Sequence, residues 1–142
     1  MTSVIVSLNA CPPVEDFRPC SCEDHHGGAV KANGSLKLNC NNKQLGNAKI
    51  SLILNSFLRL RGQKLRKIYL NNNSLVNGVP DEIRLFDELS SVDLRWNPIR
   101  IIESGAFKFP DRVADPGLVD LSFNQITHIK DDAFQGNFIN VK

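Results

Sequence analysis

Residues 65–75 read LRKIYLNNNSL, with apolar Leu65, Ile68, Leu70 and Leu75 and an asparagine, Asn73, set among them. Spacings of three and two suit neither the 3.6-residue period of a helix nor the plain alternation of a strand. The pattern returns at 89–99, LSSVDLRWNPI, with Val92, Leu94, Asn97 and Ile99 in matching places. A third copy, VDLSFNQI, carries Val119, Leu121, Asn124 and Ile126. The asparagines at 73, 97 and 124 are 24 and 27 residues apart, and Phe107 and Phe134 each follow an asparagine by ten places. Periods of 20–29 residues with this spacing mark a repeat in which each copy buries its apolar side against the next.

Each place in the repeat has a physical reason. The central apolar-x-apolar element is a short strand whose alternate residues point inward. After it the chain turns sharply, which leaves backbone N–H and C=O groups where water cannot reach them. An asparagine side chain, with one acceptor and two donors, can satisfy them. Asn73, Asn97 and Asn124 are therefore expected to form an internal amide ladder, pairing along the stack. Phe107 and Phe134 read as a buried aromatic spine on the return limb. SGAF and DDAF predict short helical turns there, with Ser104 and Asp131 as N-caps, and Phe86 takes the apolar place in the first repeat. In the third repeat Pro116 replaces an expected leucine and the stretch 109–117 carries three extra residues, which predicts a bulged loop.

Upstream, LKLNC (36–40) alternates and predicts a cap strand pairing with the first repeat. Leu45, Ala48, Leu52 and Phe57 predict a helix packed outside the sheet. The fold class is thus an α/β leucine-rich repeat solenoid: a short parallel concave sheet, a helical or irregular convex side, and an N-terminal cap. Residues 1–10 are apolar and end in a small residue, like a signal-peptide remnant, although they lack a basic start. Then come a cysteine-rich cap (11–45), a convex helical segment (46–64) and three repeats (65–142). The last of these stops early, as a fragment would, with Phe134, Phe138 and Ile139 half open at its end.

Composition adds two facts. The 142 residues carry a net charge of only +2, too little to point to nucleic acid, and no run is long enough to span a membrane. All four cysteines, Cys11, Cys20, Cys22 and Cys40, fall in the first 40 residues. An even, local set suggests disulfides and an oxidising compartment, with three connectivities open. Cys20, Cys22, His25 and His26 are an alternative zinc set, cramped for a tetrahedron. The assignment preferred is no metal and no cofactor.

The segment C-x8-C-x-C-x17-C followed by the repeats resembles the N-terminal cysteine cap of secreted leucine-rich repeat proteins. CPPVEDFRPCSCE, YLNNNSL, WNPIRIIESGAF and VDLSFNQITHI are similar to secreted arthropod repeat proteins, the group that includes the non-catalytic subunit of Oplophorus luciferase. The resemblance implies pairing of Cys11 with Cys22 and Cys20 with Cys40. It also implies a secreted, extracellular accessory module without catalysis of its own, serving a protein ligand or catalytic subunit.

By alternation the outward strand residues are Lys37, Asn39, Lys67, Tyr69, Asn71, Ser91, Asp93, Arg95, Asp120 and Ser122. One column is expected to run Lys37, Tyr69, Asp93, Asp120. From Lys67 onward these residues form the candidate protein-binding face, against the alternative of a solvated surface. Trp96 and Phe123 share one repeat place and are expected to stack as neighbours at the strand ends, as core or rim packing, with a partner anchor as the alternative. Arg59, Arg61, Lys64, Arg66 and Lys67 form a basic run that suits a sulfated glycan or, more plainly, a solvated edge that Asp81, Glu82, Asp87 and Glu88 neutralise. Asn33 and Asn72 head N-x-S sequons and are glycosylation candidates. No catalytic set is evident: His25 and His26 lie far from His128, and Asp93 beside Asp120 lies on an open surface. The alternative reading is a structural matrix protein that assembles with itself.

Overall fold

The computed structural model describes residues 11–24, 35–60, 64–109, 117–136 and 138–142. The expectations for 1–10, His25, His26, Asn33, Arg61 and the loop holding Pro116 fall outside these residues, as do the side chains of Phe138 and Ile139. In chain order the elements are α1 (Val14–Phe17), β1 (Ser21–Asp24), β2 (Ser35–Asn39), α2 (Asn47–Leu58) and β3 (Lys64–Tyr69). A 3-10 helix (Asp81–Leu85) precedes β4 (Ser91–Asp93), β5 (Ile101–Ile102), β6 (Phe107–Lys108) and β7 (Gly117–Asp120). The chain ends with β8 (His128–Ile129), β9 (Phe134–Gln135) and β10 (Phe138–Val141).

The main sheet has the order β1-β2-β3-β4-β7-β10. Strands β2 to β10 pair in parallel, and β1 closes the sheet antiparallel to β2. One side of it is the core: Leu36, Leu38, Leu65, Ile68, Leu70, Val92, Leu94, Val119 and Leu121 are all buried. The cap strand pairs with the first repeat as its alternation predicts. Two disulfides, Cys11–Cys22 and Cys20–Cys40, tie α1 and β1 to it. Cys20 and Cys22 are thereby spent on different partners, which overturns the zinc alternative.

Helix α2 lies within the predicted segment but with a different face inward. Ile50, Ile53, Leu54 and Phe57 are buried, whereas Leu52 is 65% exposed. At 100° per residue, positions 50, 53, 54 and 57 share a stripe and 52 falls opposite Ile50. The expected stripe through Ala48 and Leu52 is corrected on that ground. Behind it, Phe17 packs on Phe57 at 6.2 Å between ring centroids.

The return limbs after Asn97 and Asn124 are not helical. Gly105 and Asp132 have φ of 71° and 60°, which stops a right-handed helix after one turn. Their N–H groups go sideways instead: Gly105 donates to Asp132 O, Phe107 to Ala133 O and Phe109 to Gln135 O. Two small parallel pairs result, β5 with β8 and β6 with β9. Ser104 and Asp131 are therefore not helix N-caps; the Ser104 hydroxyl donates to Asp131 O at 3.0 Å, between neighbouring limbs. Phe107 and Phe134 stack at 5.3 Å as expected, with Phe107 fully buried. Phe86 is buried in the first repeat. Gly136 is needed where it stands: at φ +103° an added Cβ would lie 1.8 Å from Phe109 O.

The three asparagines bond to backbone rather than to one another. Asn97 Nδ2 donates to Leu70 O at 2.9 Å in the preceding repeat and to Leu94 O at 3.1 Å in its own. Its Oδ1 accepts from Leu75 N–H at 3.3 Å. Asn73 does the same with Cys40 O, Leu70 O and Leu45 N–H. Asn124 does so with Leu94 O, Leu121 O and Ile99 N–H. The expected pairing of amide with amide is corrected: strand spacing places another carbonyl, not another side chain, within reach. Asn97→Ala is expected to cost about 1–3 kcal/mol, because buried backbone groups in two repeats lose their partner. Asn124→Ala is expected to cost less, since Asn124 is only half-buried and water can substitute. Urea unfolding midpoints of the two variants check the order.

Candidate functional site on the open sheet face

The side of the sheet away from the core carries every outward residue named from the alternation. Register sets their neighbours. Lys37 pairs with Lys67, Lys67 with Ser91, and Ser91 with Leu118; Asn39 pairs with Tyr69, Tyr69 with Asp93, and Asp93 with Asp120. The expected column from Lys37 to Tyr69 is thus corrected by one step of the pleat. The pairing of Leu38 with Ile68 sets this register, and periodicity alone carries no signal for it. Lys37 still reaches Tyr69 diagonally, with its ammonium 5.3 Å from the ring centroid. Leu118, 37% exposed on this face, was not foreseen, because it follows the irregular loop.

The column ending in two aspartates has a backbone task. Asn39 Oδ1 accepts from Asn41 N–H at 2.9 Å, Asp93 Oδ1 from Arg95 N–H at 3.1 Å, and Asp120 Oδ1 from Ser122 N–H at 3.0 Å. These are Asx turns that close the strand ends. Tyr69 cannot make one, and in its repeat Asn71 N–H donates to Asn41 Oδ1 at 2.8 Å across the sheet.

Arg95 lies between the two carboxylates. Its Nε and Nη2 donate to Asp93 Oδ1 and Oδ2 at 2.9 and 2.8 Å, and Nε stands 3.8 Å from Asp120 Oδ2. The fork geometry fits a carboxylate in two places at once. Burial pushes the Asp93 carboxyl up. Hydrogen bonds from the Arg95 side chain and backbone, its charge, and a hydrogen bond from Asn71 together outweigh burial and hold it below its ordinary value of 3.8. Asp93 and Arg95 are thus largely occupied with each other, which leaves Lys67, Tyr69, Ser91 and Leu118 as the more available contact groups.

At the ends of the strands the backbone is left-handed in four successive places: Asn42, Asn72, Trp96 and Phe123 have φ of 59°, 56°, 56° and 62°. For asparagine this is an ordinary turn conformation; for tryptophan and phenylalanine it is rare and costs about 1–3 kcal/mol. The indole and phenyl rings stack at 4.2 Å and 5°, yet they are 55% and 63% exposed. The stack expected from their shared place is present, and it lies at the rim in solvent. The amides of the same column bond to each other, Asn72 Nδ2 donating to Asn42 Oδ1 at 2.8 Å. Asn41 and Asn42 were missed from the sequence, since the cap has no repeat signature around them.

The basic run is partly engaged. Arg66 lies 3.8 Å from Glu88, Glu82 accepts from Ser51 and Asn55 on α2, and Arg59 and Lys67 are exposed. Among the described residues no group of three or more His, Cys, Asp or Glu side chains could hold a metal ion. No helix among them is long and apolar enough to cross a membrane.

Residues 64–86 match the family model for the Leucine Rich Repeat. The match covers β3, Asn73 and the 3-10 helix, and it supports a leucine-rich repeat protein, a type of module that suits protein interaction. No curated protein and no solved structure matches the chain.

The Asp93–Arg95 pair gives a pH prediction. Because the folded Asp93 value is depressed, its contribution to stability is complete above the unfolded value near 3.8. It is lost as pH falls through the folded value. Arg95→Gln removes the charge and the fork but leaves the burial, the backbone N–H of residue 95 and the Asn71 hydrogen bond, so the Asp93 midpoint is expected to rise from its depressed value. Carboxyl carbon NMR titration of both proteins reads this directly. An unchanged midpoint would mean that Arg95 does not govern the carboxylate.

Proposed function

We propose that the protein is an extracellular, non-catalytic binding module that docks a protein partner on the open, concave face of its sheet. The observation that carries this reading is the face itself. Lys67, Tyr69, Asn71, Ser91, Asp93, Arg95, Asp120 and Ser122 lie in two adjoining columns and their continuation, fixed in register by a parallel ladder. The surface mixes an aromatic, an apolar side chain, amides and both signs of charge, as recognition surfaces do. Repeat architectures present such a surface by geometry. The two cap disulfides support an oxidising, extracellular setting. A catalytic subunit of another chain is among the partners that the arthropod resemblance suggests.

Within this reading the roles divide. Tyr69 is the anchor, because among the described residues it is the one aromatic ring on the strands of this face and Lys37 bears on it. Asp93, Arg95 and Asp120 form a rigid plate that needs little ordering on binding. The sulfated-glycan alternative is the weaker one, with Arg66 already facing Glu88.

The test is crosslinking of the native protein in extracellular fluid, followed by peptide mass spectrometry. One heterologous protein crosslinked near Tyr69 or Leu118 is expected, with capture reduced about tenfold or more by Tyr69→Ala, the loss of about 1.4 kcal/mol or more that an anchor implies. The variant should keep both disulfides and its unfolding midpoint. Crosslinks only between copies of this chain, insensitive to Tyr69→Ala, would replace the docking module with a self-assembling matrix protein.

A further inference from the structure

The rim column has four equivalent places, two held by asparagines and two by aromatic rings. Successive repeats place Asn42, Asn72, Trp96 and Phe123 at equivalent left-handed positions, one strand spacing of about 4.8 Å apart. Phe123 covers one face of the Trp96 indole at 4.2 Å. On the opposite side, toward the preceding repeat, the column holds the short Asn72 side chain. There an open depression of about 340 Å³ is lined by Asn42, Asn71, Asn72 and Trp96, near the lower end of ligand-site sizes.

The lining is one aromatic wall and three primary amides, and it carries no charge. An anion would find no cation in it, and an apolar side chain would leave the amides dry. A pyranose ring satisfies both demands: its C–H face lies flat on an indole, and its hydroxyl or acetamido groups exchange hydrogen bonds with amides. We propose that this depression is a subsite for one ring of a neutral glycan, with Trp96 as its platform and Asn42 and Asn72 as its hydrogen-bonding edge. The glycan has two available sources. One is a soluble or partner-borne oligosaccharide. The other is a sugar carried by Asn72 itself, which is exposed and heads the sequon Asn72-Asn73-Ser74. Only the second source rests on the extracellular reading given above.

Trp96 is the sole tryptophan of the chain, so its fluorescence reports on this site and nothing else. The first arm uses the full chain made without glycosylation and folded with both disulfides, titrated with the N-acetylglucosamine trimer. The expected result is a saturable shift of Trp96 emission with a half-point on the order of 1 mM, the affinity of one ring face and a few exposed hydrogen bonds. Asn72→Phe, which places a ring in the gap as the same backbone already does at 96 and 123, abolishes the shift. Asn42→Ala weakens it severalfold and guards against misfolding of the first variant. The second arm compares Trp96 quenching by acrylamide in the chain secreted from eukaryotic cells with its Ser74→Ala variant, which keeps the Asn72 amide but cannot accept glycan. About twofold protection in the glycosylated chain assigns the subsite to the attached sugar. No response in the first arm together with no protection in the second overturns the proposal. A response to sulfated oligosaccharides alone also overturns it, moving the ligand to the basic run. A chain that never reaches the medium counts against the extracellular reading and leaves the first arm decisive for the subsite.

Discussion

The structure depends on one interaction repeated three times: a carboxamide that joins the backbone of two successive repeats. A chain that leaves a strand and turns at once cannot use its own ladder to satisfy the groups it turns past. Asn73, Asn97 and Asn124 each give both amide hydrogens to carbonyls and accept an N–H from the preceding repeat. Aspartate lacks the donors, and glutamine would have to fold back a longer side chain. Because two of the bonds of each asparagine reach into the segment before its own repeat, a repeat is complete only with its predecessor. The cap fits this rule: Cys40 O and Leu45 N–H are what Asn73 bonds to, and the Cys20–Cys40 disulfide fastens that segment to the N-terminal loop.

The tight turn also shapes the surface. Residues just before the asparagines are forced into left-handed conformations, and Asn39, Asp93 and Asp120 at the strand ends supply Asx acceptors. Asp93 and Asp120 are fixed by this backbone task before any partner is considered. Their proximity then calls for a cation, which Arg95 supplies from two residues on. The open face consequently carries two carboxylates around one guanidinium at its centre, with Lys67 and Tyr69 on β3 and Leu118 on β7 beside it.

A left-handed tryptophan and a left-handed phenylalanine held in solvent are costly for a purely structural role. Their stacking offsets part of that cost, since an offset aromatic pair contributes about 0.5–1.5 kcal/mol. The rest of the column solves the same turn with asparagine, which tolerates the conformation. The contrast between Asn72 and Trp96 in neighbouring repeats is what creates a site at the rim distinct from the face.

The sequence by itself determined the repeat, its strands, the asparagine positions, the pairing of Phe107 with Phe134 and of Trp96 with Phe123, and the alternation that separates core from face. These follow from periodic spacing, which is a one-dimensional property. It also carried the disulfide pairing, through resemblance rather than through spacing. Tertiary structure alone decided the register that puts Asn39 rather than Lys37 beside Tyr69. It decided the inward face of α2, where the apolar residues 50, 52, 53, 54 and 57 allow more than one stripe until the core selects one. It also made the return limbs strands, since hydrogen bonds to a neighbouring limb outcompete a helical turn once left-handed residues have broken it. Finally, it brought Asn42, 30 residues before Asn72, against it in the cap. A contact between repeats depends on how a whole turn of chain closes, and no local pattern encodes that.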